Sequence, residues 1–371
     1  MAGVAETRQL EVGRSLSAGA GLSLQWLGRR FTLIFSLVIL GALVVTAILA
    51  QWMAPYDPRR GDLDDKNTPP AWVSAETVQR QVVDGFPDNE NTEISVNRAS
   101  NLAVSGKVVG LDGSALTRDQ IAPGDQVLEV IRPAGSTKFL LGADDQGRDL
   151  LSRIIWGARV SLIVAAVTIL VGGSIGTALG LISGYYGGWA DEVIMRMVDI
   201  FLALPLVMVA LVLAVVVGNF SIPWLPMKEI HMIAIVLSLF IWVRFARQVR
   251  GEVLGLKTMD YVALARVAGA STRRILLVHL LPGVMNTVIV VGTLQVSVVI
   301  LLESILSFLG AGVAPPTAAW GSMVADGRDF LKTAWWVSTM PGLALLLTVM
   351  AFNLMGDWIR DALDPRLRQQ R

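Results

Sequence analysis

Residues 161–184 read SLIVAAVTILVGGSIGTALGLISG and carry no charged side chain. A helix rises 1.5 Å per residue, so about 20 residues cross the roughly 30 Å hydrocarbon core of a bilayer. Lipid offers no partner for backbone N–H and C=O groups, and a helix satisfies them internally. The stretch therefore predicts a membrane-spanning helix. Within it Gly172, Gly176, Gly180 and Gly184 recur every fourth residue and share one face. Such a face lets a second helix backbone approach closely. Tight packing is the reading this spacing favours; a hinge used in transport is the alternative.

The same signal recurs along the chain. Further apolar blocks lie at about 31–53, 199–218, 230–249, 281–303 and 337–356, which with 160–183 makes about six spans. Of 371 residues, 53% are hydrophobic and 16% charged, against about 25% charged in soluble domains. The net charge of +1 offers no surface for nucleic acid or another polyanion. There is no cysteine, which excludes disulfides, thiolate metal sites and a cysteine nucleophile. Arg29 and Arg30 precede the first block and Pro55 follows it, with no clean small-residue cleavage site. It reads as a retained anchor rather than a signal peptide.

Residues 54–149 are polar. They hold acidic clusters (Asp62, Asp64, Asp65; Asp88, Glu90) and turn signals at Leu111-Asp112-Gly113 and Pro123-Gly124-Asp125. The alternating runs TEISV (92–96) and QVLEVI (126–131) predict strands. The early part has the composition of a disordered segment. The fold class is then an all-α integral membrane protein with a partly β insert between helices 1 and 2. Its parts are an N-terminal tail (1–30), a first span (31–53), the insert (54–149), a membrane core (150–356) and a C-terminal tail (357–371). Loop punctuation follows at Tyr185-Tyr186-Gly187-Gly188, Pro223-Trp224-Leu225-Pro226 and Pro315-Pro316.

Cationic side chains set orientation. The stretch between the fourth and fifth spans holds Arg244, Arg247, Arg250, Lys257, Arg266, Arg273 and Arg274, against Glu252 and Asp260. By the positive-inside rule that end is cytoplasmic. Counting spans puts both termini inside, in keeping with Arg29, Arg30, Arg360, Arg366 and Arg368, and puts the insert and the Pro315-Pro316 loop outside.

The segment 260–282, DYVALARVAGASTRRILLVHLLP, lies on the expected inner side. Asp260 can cap a helix, and Tyr261, Ala263, Ala265 and Arg266 continue it with a slim face. Gly269 can end it in a left-handed conformation. Ser271 can cap a second short helix, and Leu281-Pro282 then breaks the chain before the fifth span. A slim apolar face out of reach of lipid needs a protein partner; a helix pair resting on the membrane surface is the alternative.

This segment resembles the cytoplasmic Glu-Ala-Ala loop of ATP-driven importer permeases. Gly269, Leu281 and Pro282 match in spacing, and Ala265 matches the third motif position. Ala263 stands where the family has glutamate, and Leu264 where it has alanine. The stretches LGADDQGRDLLSRIIWGARVSL (141–162), ESILSFLGAGVAPPTAAWGSMVADGRDFL (303–331) and NLMGDWIRDALDPRLR (353–368) are similar to segments of the dipeptide and oligopeptide permease subfamily, as is the first span with its APYDP. Most of the insert has no counterpart in that likeness. The resemblance implies a multi-pass subunit of a bacterial inner membrane that pairs with a second permease subunit around a central path. Two cytoplasmic ATPase subunits would dock on the 260–280 helices, and an external binding protein would deliver substrate. It implies peptides as the default cargo, though nickel, opines, sugars and peptide antibiotics travel through relatives.

The near-match GEVLGLKT (251–258) to a phosphate-binding loop fails, because Leu256 occupies the second glycine position and no strand precedes it. ATP is then the business of another chain, and no catalytic residue, cofactor or metal is expected here. His231 and His279 are far apart. Arg196, Asp199, Glu303 and Asp357 are expected near span ends, where long side chains reach water cheaply. A secondary transporter or channel would need buried ionisable groups at midplane and broken helices. A membrane-anchored sensor would leave the inner helix pair without a role.

Overall fold

A computed structural model describes residues 32–87, 89–218 and 229–363. The expected N-terminal tail with Arg29 and Arg30, Asp88, the Pro223–Pro226 punctuation, and Arg366 and Arg368 lie outside the described residues.

Helix α1 (Thr32–Ile48) is apolar and is extended by a turn at Ala50–Met53. A four-stranded sheet follows: β1 (Glu76–Val83), β2 (Glu93–Ser95), β3 (Val108–Val109) and β4 (Gln126–Arg132), in the order β2-β1-β4-β3. β1 runs parallel to β2 and antiparallel to β4, with Val78 facing Glu129. Helix α2 (Val96–Val104) begins at Ser95, whose Oγ accepts from Arg98 N at 3.4 Å, and lays Ala99 and Ala103 on the sheet. With Val82, Ile94, Val108, Ile121 and Val127 they form a small core of the insert's own. The two strands expected from alternation are both present as β2 and β4; β1, β3 and α2 add to them.

Helix α3 (Leu150–Tyr186) is 37 residues long, a full span with a polar extension at each end. Asp149 starts it, its Oδ2 accepting from Ser152 N at 2.8 Å. α4 (Gly188–Ala203) and α5 (Leu206–Gly218) follow, then α6 (Glu229–Leu256), α7 (Asp260–Val267), α8 (Thr272–Phe308), α9 (Trp320–Gly327) and α10 (Trp336–Leu363). By length and apolarity α3, α6, α8 and α10 can each cross a membrane, and the bent pair α4–α5 makes a fifth candidate beside the shorter α1. The fold is thus a helical membrane bundle with a small sheet-bearing insert.

Three expectations are corrected. The third span is bent by 92° between α4 and α5. Leu204 is extended (φ −76°, ψ 138°), because the ring of Pro205 disfavours a helical residue before it. Arg196 and Asp199 therefore stand on α4, a separate helix. Pro282 does not break the chain. Residues Ile275–Leu280 form a π-helical turn in which Leu281 N donates to Leu276 O, and the helix runs on through the proline, which sits at the start of the α-helical part. Glu303 does not reach water: it is fully buried in α8, accepting from Ser307 Oγ at 2.8 Å, Ser161 Oγ at 3.2 Å and Ser304 Oγ at 3.4 Å.

The densest packing in the bundle is α3 against α6. A Cβ at Gly172 would lie 3.1 Å from Ser238 O, at Gly176 2.2 Å from Trp242 O, at Gly180 2.7 Å from Ala246 O, and at Gly184 2.7 Å from Val253 Cβ. The four glycines thus line one contact along about three helical turns. Val160, Val164, Leu237, Phe245 and Ile300 continue that core into α8.

Candidate functional site

The candidate site is the helical hairpin at the end of the bundle opposite the insert. Its base is apolar. Val262 of α7 is fully buried with Leu181, Val249, Val253, Ile275, Leu280 and Val284. Burying such a side chain contributes about 1.5–3 kcal/mol, so one residue pins α7 to three long helices. Lys257, the lysine of the false phosphate loop, donates to Gly184 O at 2.8 Å and ties the hairpin to the last turn of α3. Arg266 holds its guanidinium 5.8 Å above the Tyr185 ring. The Tyr261 and His279 rings lie 6.4 Å apart, joining α7 to the π turn.

The capping of this hairpin differs in part from expectation. Asp260 does not cap α7: Met259 is the N-cap and supplies no side-chain bond, and Asp260 is the first helical residue. A carboxylate there still meets the positive end of the helix dipole. At the other end, Gly269 has φ +77°. Gly269 N donates to Arg266 O at 3.1 Å, and Ala270 N donates to Ala265 O at 3.0 Å. These are the two hydrogen bonds of a Schellman turn. Ser271 Oγ then accepts from Arg274 N at 3.4 Å and starts α8. Leu281 is half-buried and Pro282 exposed.

What faces outward is apolar. Asp260, Ala263, Leu264 and Val267 fall at spacings of three and four, one stripe of α7, and all four are exposed. Leu264 is 68% exposed and Val267 88%. Sequence reading had put the weight on Arg266 and the glycine turn. Leu264 and Val267 had no expected role of their own, because which face of α7 is free depends on Val262 packing inward.

The same end of the bundle is fastened by ion pairs. Arg250 of α6 holds Asp191 of α4 in a two-pronged contact, 2.6 Å for each bond, and Ser183 Oγ also donates to Asp191. Arg247 meets Asp199 at 2.6 Å. The arginines expected in a polar loop thus line the second half of α6.

The opposite end holds a buried ionic cluster. Asp144 accepts from Arg148 Nε at 2.7 Å, and Arg153 Nε lies 3.4 Å from the same carboxylate. Asp326 of α9 stands 3.8 Å from each guanidinium. Burial holds the Asp326 carboxyl above its usual range, opposed by the Arg153 charge. Trp320 Nε1 donates to Ile154 O at 2.9 Å, and Trp336 Nε1 to Ala143 O at 3.2 Å. Insert, α3, α9 and α10 are thereby locked together. Among the described residues, no group of three or more His, Asp or Glu side chains is arranged to hold a metal ion.

The structure is a helical bundle of several membrane-length helices, with the hairpin at one end and the sheet-bearing insert at the other. The family model of the binding-protein-dependent transport system inner membrane component matches residues 176–369, and the chain belongs to that family. The N-terminal TM domain of oligopeptide transport permease C matches residues 30–70. The di/tripeptide transport system permease protein DppC of Pseudomonas aeruginosa is 38% identical over 336 residues, covering 91% of this chain and 87% of that protein. The dipeptide permease DppC of Escherichia coli K12 is 37% identical over the same length, with 91% and 89% covered. The glutathione permease GsiD of Pectobacterium atrosepticum is 40% identical over 233 residues, 63% of this chain and 74% of that one. The inward-facing methionine ABC transporter MetNI is similar in structure at 18% identity and a TM-score of 0.46, covering 58% of this chain and 98% of that chain.

Proposed function

We propose that this chain is one of two membrane subunits of an ATP-driven importer of short peptides, and that it forms half of the translocation path. The observation that carries the proposal is the outward stripe of Ala263, Leu264 and Val267 on a helix whose opposite face is anchored by Val262. An exposed apolar stripe on a rigid helix is what a groove on another protein recognises. The occupant of that groove-and-helix contact is a cytoplasmic ATPase subunit. Arginine bias supports a cytoplasmic position for this end, and with it cytoplasmic termini and an external insert. There the insert meets an external binding protein or the second permease.

In this reading, closure of the ATPases around ATP moves α7. Val262 and the hairpin base transmit the movement to α3, α6 and α8. Coupling requires ATP to favour one arrangement of the bundle over the other. Short peptides are the proposed cargo because the relatives matched along nine-tenths of the chain are di- and tripeptide permeases. Hydrolysis is assigned to the partner chains, since Lys257 is already engaged with Gly184 O and Leu256 closes the only phosphate-loop spacing.

The test is affinity purification from membranes. An ATPase subunit should be retained with this chain, and the purified assembly should hydrolyse ATP faster when a peptide-loaded binding protein is added. The chain purified alone should neither bind nor hydrolyse ATP. Hydrolysis by the isolated chain that is lost on Lys257→Ala would overturn the assignment.

A further inference from the structure

A second polar site is an open groove on the side of the bundle. A groove of about 330 Å³ is bounded by α4, α6 and α8, and Arg244, Arg247, Gln248 and Gln295 give it its polar lining, with Val291 and Leu294 beside them. Its depth follows from helix geometry. Arg244 stands twelve residues before the end of α6 at Leu256, about 18 Å along the axis. Gln295 is midway along the α-helical part of α8, Leu281–Phe308.

The polar groups of this groove are unequally matched. Arg247 is neutralised by Asp199. Arg244 is exposed and makes no ion pair among the described residues. Gln295 is 5% exposed, and its Nε2 has no hydrogen-bond partner among the described residues. A buried amide left without an acceptor costs about 1–3 kcal/mol. Among the described residues that line the groove there is no carboxylate, and Asp199 beside it pairs with Arg247. The site therefore presents a free guanidinium and an unsatisfied N–H on facing helices, and lacks an anion.

We infer that Arg244 and Gln295 form a station for the carboxylate of the passing substrate, the C-terminal carboxylate of a short peptide. This rests on the importer reading above. A guanidinium and an amide on opposite walls can each donate to one carboxylate, and charge-assisted bonds of this kind are the stronger class. The groove's polar lining is on α6 and α8, so a bound carboxylate sits against elements that the hairpin end moves. The anionic phosphate of a lipid headgroup has the same chemistry, and the test separates the two sources.

The experiment uses the whole importer, with both permeases, the ATPases and the binding protein, in proteoliposomes, with trialanine as the probe. Arg244→Gln should lower uptake by about tenfold, the worth of one charge-assisted hydrogen bond. Stimulation of ATP hydrolysis by the loaded binding protein should stay within about twofold, since the hairpin is untouched. Arg244→Lys should restore most of the uptake, and Gln295→Leu should lower it by a smaller factor. Unchanged uptake with Arg244→Gln at equal membrane level would overturn the proposal. So would an equally large effect of Arg244→Gln on uptake of trialanine amide, because the group held would then not be the peptide carboxylate and a lipid phosphate would be the remaining anion. A wild-type complex that retains no ATPase and takes up no trialanine would remove the importer reading itself, and the station with it. Loss of uptake with Arg244→Gln while the ATPase is retained is the supporting result.

Discussion

Gly176→Ala is the sharpest perturbation of the packing. An added Cβ would lie 2.2 Å from the Trp242 carbonyl oxygen and 2.7 Å from Phe245 Cβ. The first distance falls about 1.2 Å short of the 3.4 Å at which ordinary contact begins. The obstructing atom is backbone of α6, so no flexible side chain can swing aside. The helices must separate or shift, and overpacking of this kind costs about 1–3 kcal/mol. The alanine also gains about 1 kcal/mol in helix propensity, which masks part of that cost. Gly172→Ala in the same helix is the control. Its Cβ would lie 3.1 Å from Ser238 O, a clash of a few tenths of an ångström. The propensity gain is common to both variants, so their difference isolates the contact, and it should be about 2 kcal/mol in favour of Gly172→Ala. SDS-induced unfolding in mixed micelles, followed by tryptophan fluorescence, reads that difference. Equal midpoints for the two variants would refute the close α3–α6 approach.

Three further outcomes are expected. Asp144→Asn should destabilise by about 3–5 kcal/mol, because Arg148 and Arg153 would be left buried with only Asp326 and Asp145 near them; limited proteolysis should then cut the insert faster. Gly269→Val should weaken the hairpin through strain alone, since φ is +77° and nothing lies within 4 Å of an added Cβ; membrane levels should hold while uptake falls, and normal uptake would contradict this. In a chain with no native cysteine, Val104→Cys should react with a membrane-impermeant thiol reagent on intact cells and Arg273→Cys should not; the reverse pattern would invert the orientation.

The long helices were legible because a span must be apolar for about 20 residues, whatever its neighbours do. The strands at 93–95 and 126–132 were legible because their faces alternate. β1 was missed: ETVQRQVV shows water most of its length and buries only Val82 fully. Pro205 was a local signal that went unused, and it bends the third span. Pro282 was a local signal that misled, because a π turn absorbed it. Glu303 could not be read at all from its own stretch. Its burial depends on Ser161, 142 residues away, and on two serines of its own helix. The ionic cluster likewise needs Asp326 to meet Arg148 and Arg153 across the fold. At the hairpin the turn at Gly269 and the cap at Ser271 followed from local rules, whereas the outward stripe became evident only once Val262 was seen to point inward.

The central claim is that the exposed stripe of α7 is where an ATPase docks. The direct measurement is retention of the ATPase subunit on complexes carrying Leu264→Asp with Val267→Asp, purified at membrane levels equal to wild type. Both side chains are exposed, so the bundle should fold unchanged. Full burial of a leucine and a valine is worth about 1.5–3 kcal/mol each, so placing two carboxylates there should lower retention by at least tenfold and abolish peptide-stimulated hydrolysis. Retention and stimulation at wild-type levels would contradict the account.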